Sequence, residues 1–559
     1  MNRRPTTNRS LSRRDALRLA AGTGAAALLA ACGGGGSSAA TSAPQPTGGG
    51  ATTAAKGAAN APATASAASG SAPAVSAASS GTADFVIPTS GAKLPTDKVS
   101  FHWVDSGDVK AFFWNDFFPA YQKAHPNITV QYDALPWNEI GKVVPLGVQN
   151  GNAPDVFQIP QGLTGGQVVS QGWVLPLDDL IPDFANWKMG FPPGSFVEGI
   201  TTFKGKTYTL PFTSNKRYDT MLLYNVDYMK QAGYDPQAKR LTWDDYRGVA
   251  KKLTQQGAGK YYGVIIEGNQ TARWAAIVRG LGNVAGATAS GVAGPTQDMN
   301  PKTGEYLFTS DQYLGVIDLL LGLKSDGSVF PGSLNLNAPQ ARAQMPQGVA
   351  GMILQGVWNI PQWIHDNPAF NFDIASTPAP NSGTPMPQYY GPGGSNQMWV
   401  YMKSKNAQIA ADIFHYLGTD EGQTKWATVT GGSDPPIFPK ANEKAQLDPR
   451  ARKALGLFDQ QMRLLPSADV RNPDVSLVNL ELKPLTPDFG TTVQGIYTGQ
   501  LSDSKKAMQD LKDRTDKELD RAVKAAQAKG AKISRDDFVF ANWDPTKDYT
   551  DADYAALKK

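Results

Sequence analysis

The sequence predicts an α/β protein of two lobes, and three observations carry that prediction. Residues 84–559 are rich in aromatic and aliphatic side chains, enough chain for two hydrophobic cores rather than one. Within them, apolar strand candidates alternate with helical runs, the order of a mainly parallel sheet flanked by helices on both faces. Two apolar runs, 208–212 and 221–224, flank a polar stretch at 213–219, which fits strands that leave one lobe and begin another.

Everything before residue 84 reads as an address and a tether. Arg3, Arg4, Arg9, Arg13 and Arg14 precede an uncharged run at 19–31 that is too short and too rich in small residues to span a bilayer comfortably. Residues 1–31 are therefore predicted to be a signal peptide. The single cysteine of the chain closes the quartet Leu29-Ala30-Ala31-Cys32, which resembles the bacterial lipobox. That resemblance implies a diacylglyceryl thioether on Cys32 and cleavage that leaves it as the first residue. Residues 12–18, with Arg13 and Arg14, resemble a twin-arginine export signal.

The formal charge of +4 belongs to this leader. Residues 1–31 hold six arginines and one aspartate, so their removal leaves 47 basic and 48 acidic side chains. A neutral mature chain offers no electrostatic footprint for nucleic acid. With one cysteine there is no internal disulfide. Residues 32–83 follow Cys32 with Gly, Ala, Ser, Thr and Pro and the one charge of Lys56. Such a segment buries too little to offset its ordering entropy and is expected to be a disordered spacer, with an end-to-end distance of roughly 40 Å.

The first part of lobe 1 is expected at 84–210. It opens with a strand at 98–104, a turn at 105–108 and a helix carrying Phe112, Phe113, Phe117 and Tyr121. A strand at 128–132, a helix start at 136–139 and a strand near 154–159 follow. Ligands on such sheets sit beyond the carboxyl ends of the strands, where Trp103, Asp105, Gln158 and Gln161 fall. Lobe 2 is expected at 211–372, with a helix capped at Thr242 or Asp244. The chain is then expected to return to lobe 1 at 373–434, with a strand at 398–402 and a helix at 407–417. It should revisit lobe 2 at 435–528, ending in a charged helix near 502–528. The extension at 529–559, with Phe538, Phe540 and Trp543, either docks on a lobe or frays.

Several phrases, in order over more than half of the folded part, resemble the extracellular solute-binding proteins of ABC importers, in the branch with maltose- and oligosaccharide-binding lipoproteins. They are Asn127 through Pro136-Trp137, then 151–156, 172–179 and 205–225. Further phrases follow at Ala232-Gly233, 241–245, 351–358 and 407–423. The resemblance implies a periplasmic-binding-protein-like fold whose lobes are joined by a multi-crossing hinge. Crossings are expected at 208–225, at 372–375 and near Pro435-Pro436.

Sugars present apolar ring faces and a rim of hydroxyls, so their sites combine flat aromatics with planar amides and carboxylates. Trp103, Trp137, Trp274 and Trp358 are the candidate stacking rings; the resemblance places Trp358 at a helix start facing the cleft and Phe489 near a further ring position. Asp105, Gln158, Asn215, Arg273 and Asn396 are the candidate polar contacts. Asp105 serves equally well as a cap for the following helix, and Asn215 as the closure of a turn. The four histidines lack metal-ligand spacing, and neither a phosphate-binding loop nor a nucleophile elbow is present.

The expected function is a lipid-anchored receptor on the outer face of the cytoplasmic membrane. It would capture a solute, a mono- or oligosaccharide by the resemblance, and deliver it to ABC permease subunits. Neither catalysis, cofactor, metal nor nucleic-acid partner is expected. A surface-anchored enzyme acting on polysaccharide and a receptor for signalling are the alternatives left open.

Overall fold

The computed structural model describes residues 85–87 and 89–557. The segments read as signal peptide and spacer, with Cys32, lie outside the described residues. Lobe 1 opens with β1 (Val99–Asp105), β2 (Ile128–Ala134) and β3 (Val156–Phe157). A hairpin of β4 (Thr202–Phe203) and β5 (Lys206–Thr207) precedes β6 (Thr209–Leu210). Lobe 2 contributes β7 (Met221–Asn225), β8 (Tyr262–Val264), β9 (Ala350–Gln355) and β10 (Phe372–Ala375). Then come β11 (Gln388–Tyr390), β12 (Met398–Val400) and β13 (Met462–Leu464).

The first sheet has the order β2-β1-β3-β12-β6 and the second β10-β7-β9-β8. β1 lies parallel to β2, Val99 opposite Ile128 through Asp105 opposite Ala134, and parallel to β3. β12 is antiparallel to both β3 and β6. In the second sheet β8 and β9 are parallel, whereas β7 runs antiparallel to β9 and β10. Both sheets are thus mixed, a correction to the mainly parallel sheets expected. The antiparallel neighbours are strands such as β6, β7, β10 and β12 that flank the passages between lobes, and a passage brings the chain back in whichever direction it happens to travel.

Local chemistry explains the elements that frame the site. After β1 the chain turns through Gly107 and Asp108, both left-handed at φ 62° and 57°, where the Asp105 side chain accepts from the Gly107 amide. The turn starts the helix Lys110–Ala124, whose Phe113, Trp114, Phe117 and Tyr121 join Phe101, Trp103 and Trp426 in the core of lobe 1. In lobe 2, Thr242 and Asp245 close a reciprocal capping box on the helix Trp243–Gly257. The core there gathers Trp274, Tyr313 and Phe489, with a second cluster around Trp363, Phe372 and Phe458. The charged helix Ser504–Ala528 buries Met508, Leu511, Leu519 and Val523 against that core.

Three segments pass between the sheets side by side at Thr213. Its backbone bridges both Ser395 and Pro436, with Ser395 N donating to Thr213 O at 2.7 Å and Ser214 N to Pro435 O at 2.8 Å. Phe372–Ala375, read in the sequence as a crossing, is instead the edge strand β10, paired antiparallel with β7. The passage follows it, between Ala375 and Met398. The last residues dock: Phe540, Trp543 and Tyr549 are buried with Tyr389 of β11 and with Leu465, which follows β13, the parallel partner of β11. Tyr549 N donates to Leu464 O and Phe540 N to Pro301 O, which ties the tail to two otherwise separate segments.

Candidate ligand-binding site between the lobes

At the carboxyl ends of β1 and β3 a chain of hydrogen bonds reaches the hinge. Gln158 accepts from the Ser106 amide at 2.8 Å and donates to Asn396 Oδ1 at 3.3 Å; Asn396 donates in turn to Thr213 Oγ1 at 3.2 Å. Asn396 holds a left-handed backbone at φ 49°, which asparagine tolerates better than most residues. Asn215 donates to the carbonyls of Gly391, Pro392 and Gly394 and so fixes the glycine-rich loop in which Asn396 sits. Asp105 is fully buried and accepts from Gly107 N and the Tyr132 hydroxyl. Burial pushes its carboxyl pKa up, and its Oδ2 is buried without a hydrogen-bond partner.

Trp358 is partly exposed at the start of the helix Asn359–Asp366. Its indole N–H donates to Gln355 Oε1 at 3.3 Å, and its ring lies directly over Gly356, where a Cβ would come within 2.1 Å. The Arg217 guanidinium stands 5.6 Å from that ring. Arg217 pairs with Asp434, whose other oxygen is 3.9 Å from Lys110 Nζ. Asp108, two residues before Lys110, faces Arg342 Nη2 of lobe 2 at 3.5 Å. Burial pulls the Lys110 pKa down and brings Arg217 to about 10.

The lobes therefore meet over a cluster of charges supplied by both of them and by the crossing segment. Phe112 packs against His365 with ring centroids 5.2 Å apart, and Gly431 lies against Pro361. On another part of the boundary, Gln167 donates to Asn479 O at 2.6 Å. Along this boundary Ser106 Oγ, Ser433 Oγ, Arg342 Nη1 and both amide atoms of Asn359 are buried without a hydrogen-bond partner in the protein. Each such group costs about 1–3 kcal/mol unless something completes it. An aromatic face, a guanidinium fork and free amide and hydroxyl groups together suit a small polar solute held between lobes.

Of the residues singled out in the sequence, Gln158 and Asn396 touch, Asn215 supports the Asn396 loop, and Trp358 faces the charge cluster. The others lie elsewhere. Trp103 is fully buried against Trp114 at 4.5 Å, because β1 is covered on both faces. Trp274 packs on Tyr497 within lobe 2 and donates to Gly268 O. Arg273 is buried too, its guanidinium taken up by Glu267, Asp219 and the Leu354 carbonyl. Phe489 stacks on Tyr313 inside lobe 2, and Trp137 is half-buried against the core beneath the helix it begins. Sequence reasoning missed Asp108, Lys110, Arg217, Arg342, Asn359 and Asp434. One signal was available: Lys110 opens a run of four apolar residues whose helix is buried.

A family model described as bacterial extracellular solute-binding protein matches residues 117–453, more than half of the chain. The arabinooligosaccharide-binding protein of Bacillus subtilis is 22% identical over 341 residues, covering 58% of this chain and 73% of that protein. The sn-glycerol-3-phosphate-binding periplasmic protein UgpB of Brucella melitensis is 22% identical over 384 residues, covering 67% and 81%. Among solved structures, an ABC transporter solute-binding protein of Thermotoga lettingae bound with α-D-tagatose superposes with a TM-score of 0.57. It is 19% identical and covers 76% of this chain and 100% of that one. The GacH receptor of Streptomyces glaucescens superposes with a TM-score of 0.53 at 16% identity, covering 75% and 98%. At these identities the structures establish the two-lobed fold, while the family model reaches further: this chain belongs to the bacterial extracellular solute-binding proteins.

Proposed function

We propose that this chain is a lipid-anchored receptor that closes on an extracellular carbohydrate and presents it to an ABC permease. The observation that carries the reading is the half-exposed face of Trp358 beside buried, unpartnered amide and hydroxyl groups at the lobe boundary. A sugar ring offers an apolar face to the first and hydroxyls to the second. The arabinooligosaccharide-binding relative and the tagatose-bound structure support the same ligand class. Three adjacent passages at Thr213 suit hinge bending, in which bound solute shifts the population toward the closed form.

A thermal-shift screen of the full chain in detergent, against mono- and oligosaccharides, amino acids and peptides, tests this reading. A ligand that binds only the folded state raises the melting temperature with concentration. Trp358→Ala is expected to weaken the binding of the sugar so found by about 30-fold, the loss of roughly 2 kcal/mol from a central aromatic contact, with little change in the unliganded melting temperature. Stabilisation by a non-sugar alone would discard the carbohydrate.

The anchor is tested separately. Cys32→Ser is expected to move the protein from the membrane fraction to the soluble exported fraction, because a thioether-linked diacyl group supplies two chains of membrane affinity. Retention of the variant on the membrane would sink the lipid anchor and leave the receptor untouched.

A further inference from the structure

Three cations meet at the lobe boundary, and one of them, Arg342, is left with a free donor. Lys110 and Arg342 have side chains only 6% and 5% exposed, and Arg217 is 21% exposed. They face three carboxylates, Asp434, Asp108 and Asp105. Asp434 is engaged by Arg217 and stands 3.9 Å from Lys110, while Asp108 reaches Arg342 only at 3.5 Å. Asp105 also lies near Lys110; its Oδ1 accepts from Gly107 N and Tyr132, its Oδ2 has no hydrogen-bond partner, and burial raises its pKa.

The rest of the chain shows how this protein ordinarily treats a buried guanidinium. Arg279 makes a two-pronged bond to Asp298 with both distances 2.7 Å. Arg273 spends Nε, Nη1 and Nη2 on Glu267, Asp219 and two carbonyls. Arg342 departs from that practice. Its Nε reaches the Ala338 carbonyl at 3.4 Å, Nη2 has the long contact to Asp108, and Nη1 has no partner. A planar fork left open in a buried position matches a carboxylate or a phosphate, whose two oxygens lie at the spacing of the guanidinium nitrogens.

We propose that the solute carries one anionic group, a carboxylate or a phosphate ester, bound by Arg342 of lobe 2 and Lys110 of lobe 1 while the rest of the solute lies against Trp358. This rests on the receptor reading above and narrows its substrate class from carbohydrates in general to acidic ones. The two cations come from opposite lobes, so an anion between them favours the closed form directly, by bridging groups that separate when the lobes part. A neutral sugar would leave both cations without that partner.

Isothermal titration of the full chain in detergent with matched pairs tests the proposal: galactobiose against digalacturonate, glucose against glucose 6-phosphate, glycerol against glycerol 3-phosphate, with inorganic phosphate alone. The acidic member of one saccharide pair is expected to bind and its neutral counterpart to bind at least about 10-fold more weakly, the worth of a charge-assisted bond. Its affinity should also fall as salt is raised from 50 to 500 mM. Arg342→Met should weaken the acidic ligand by about 10- to 100-fold. Lys110→Met should do the same, and either variant serves if the other fails to fold. The pair that responds distinguishes carboxylate from phosphate.

Equal affinity for neutral and acidic members, or an acidic affinity that neither substitution changes, overturns the anionic group and leaves the carbohydrate receptor standing. Binding of glycerol 3-phosphate or inorganic phosphate alone, sensitive to Arg342→Met, supports the anion site and discards the saccharide. Absence of binding by every compound in the set counts against both.

Discussion

Asp434→Asn is expected to cost about 3–5 kcal/mol of folding stability, the loss typical when one partner of a buried ion pair is removed. Asp434 is 4% exposed and is the carboxylate that Arg217 and Lys110 share. An amide of the same shape keeps the volume but leaves Lys110 and Arg217 with only Asp105, Asp108 and Asp219 as counter-charges. The loss should be smaller at pH 9 than at pH 6. Burial already lowers the Lys110 pKa, so at high pH the variant sheds that proton instead of holding an unpaired ammonium. Urea denaturation at both pH values measures the two losses. Lys216 and Asp459, 2.7 Å apart with the carboxylate 73% exposed, give the control, and breaking that pair should cost less than about 1 kcal/mol. A comparable loss from both pairs would show that Asp434 carries no special burden.

Asp469→Asn should act in the opposite direction. Asp469 lies in the first turn of the short helix Ala468–Arg471 and packs on Gly199, where a Cβ would come within 2.9 Å of its own. Burial raises its pKa from 3.8 to about 7. Below the lower value both folded and unfolded chains hold the proton, and burial of the neutral acid carries no charge penalty. As pH rises to 7 the unfolded chain releases the proton and the folded chain keeps it, so stability falls across that window and then levels off. Asparagine, always neutral, escapes the fall. The variant is expected to match the parent near pH 4 and to exceed it by up to about 4 kcal/mol at pH 8. A difference that does not vary between pH 4 and pH 8 would show that Asp469 is solvated. Activity need not follow, because the residue lies apart from the charge cluster.

The lobe architecture was legible where local chemistry speaks in short range. The Thr242 cap of the helix Trp243–Gly257, the helix Ala407–Leu417 and the apolar runs on either side of 213–219 stand where their residue patterns put them. Sheet partners were not legible. Nothing in the alternation of β3 states that its neighbour is β12, and Phe372–Ala375 reads equally well as a passage or an edge strand. The site suffered more. Trp103 and Trp358 look alike in sequence, each beside a polar or glycine residue, yet one strand is covered on both faces and the other ring rests over Gly356 at a helix start. Lys110, Arg342 and Asp434 carry the ordinary appearance of solvated charges. They become a site only when segments far apart in the chain bring them together, and no window of residues records that meeting.

The strand order of the first sheet also dictates a timetable. β3 sits between β1 and β12, and the whole of the second sheet is encoded between β3 and β12. At bacterial translation speeds β12 leaves the ribosome roughly 10–50 s after β3, long enough for many encounters with other chains. Throughout that interval one side of Val156–Phe157 is an open edge that another nascent chain can pair with. The N-terminal lobe therefore completes its sheet only after the second sheet is made, and the last contacts wait for Trp543 and Tyr549 at the end of synthesis. A chaperone that covers this edge while the second sheet is being made would protect the chain from such pairing.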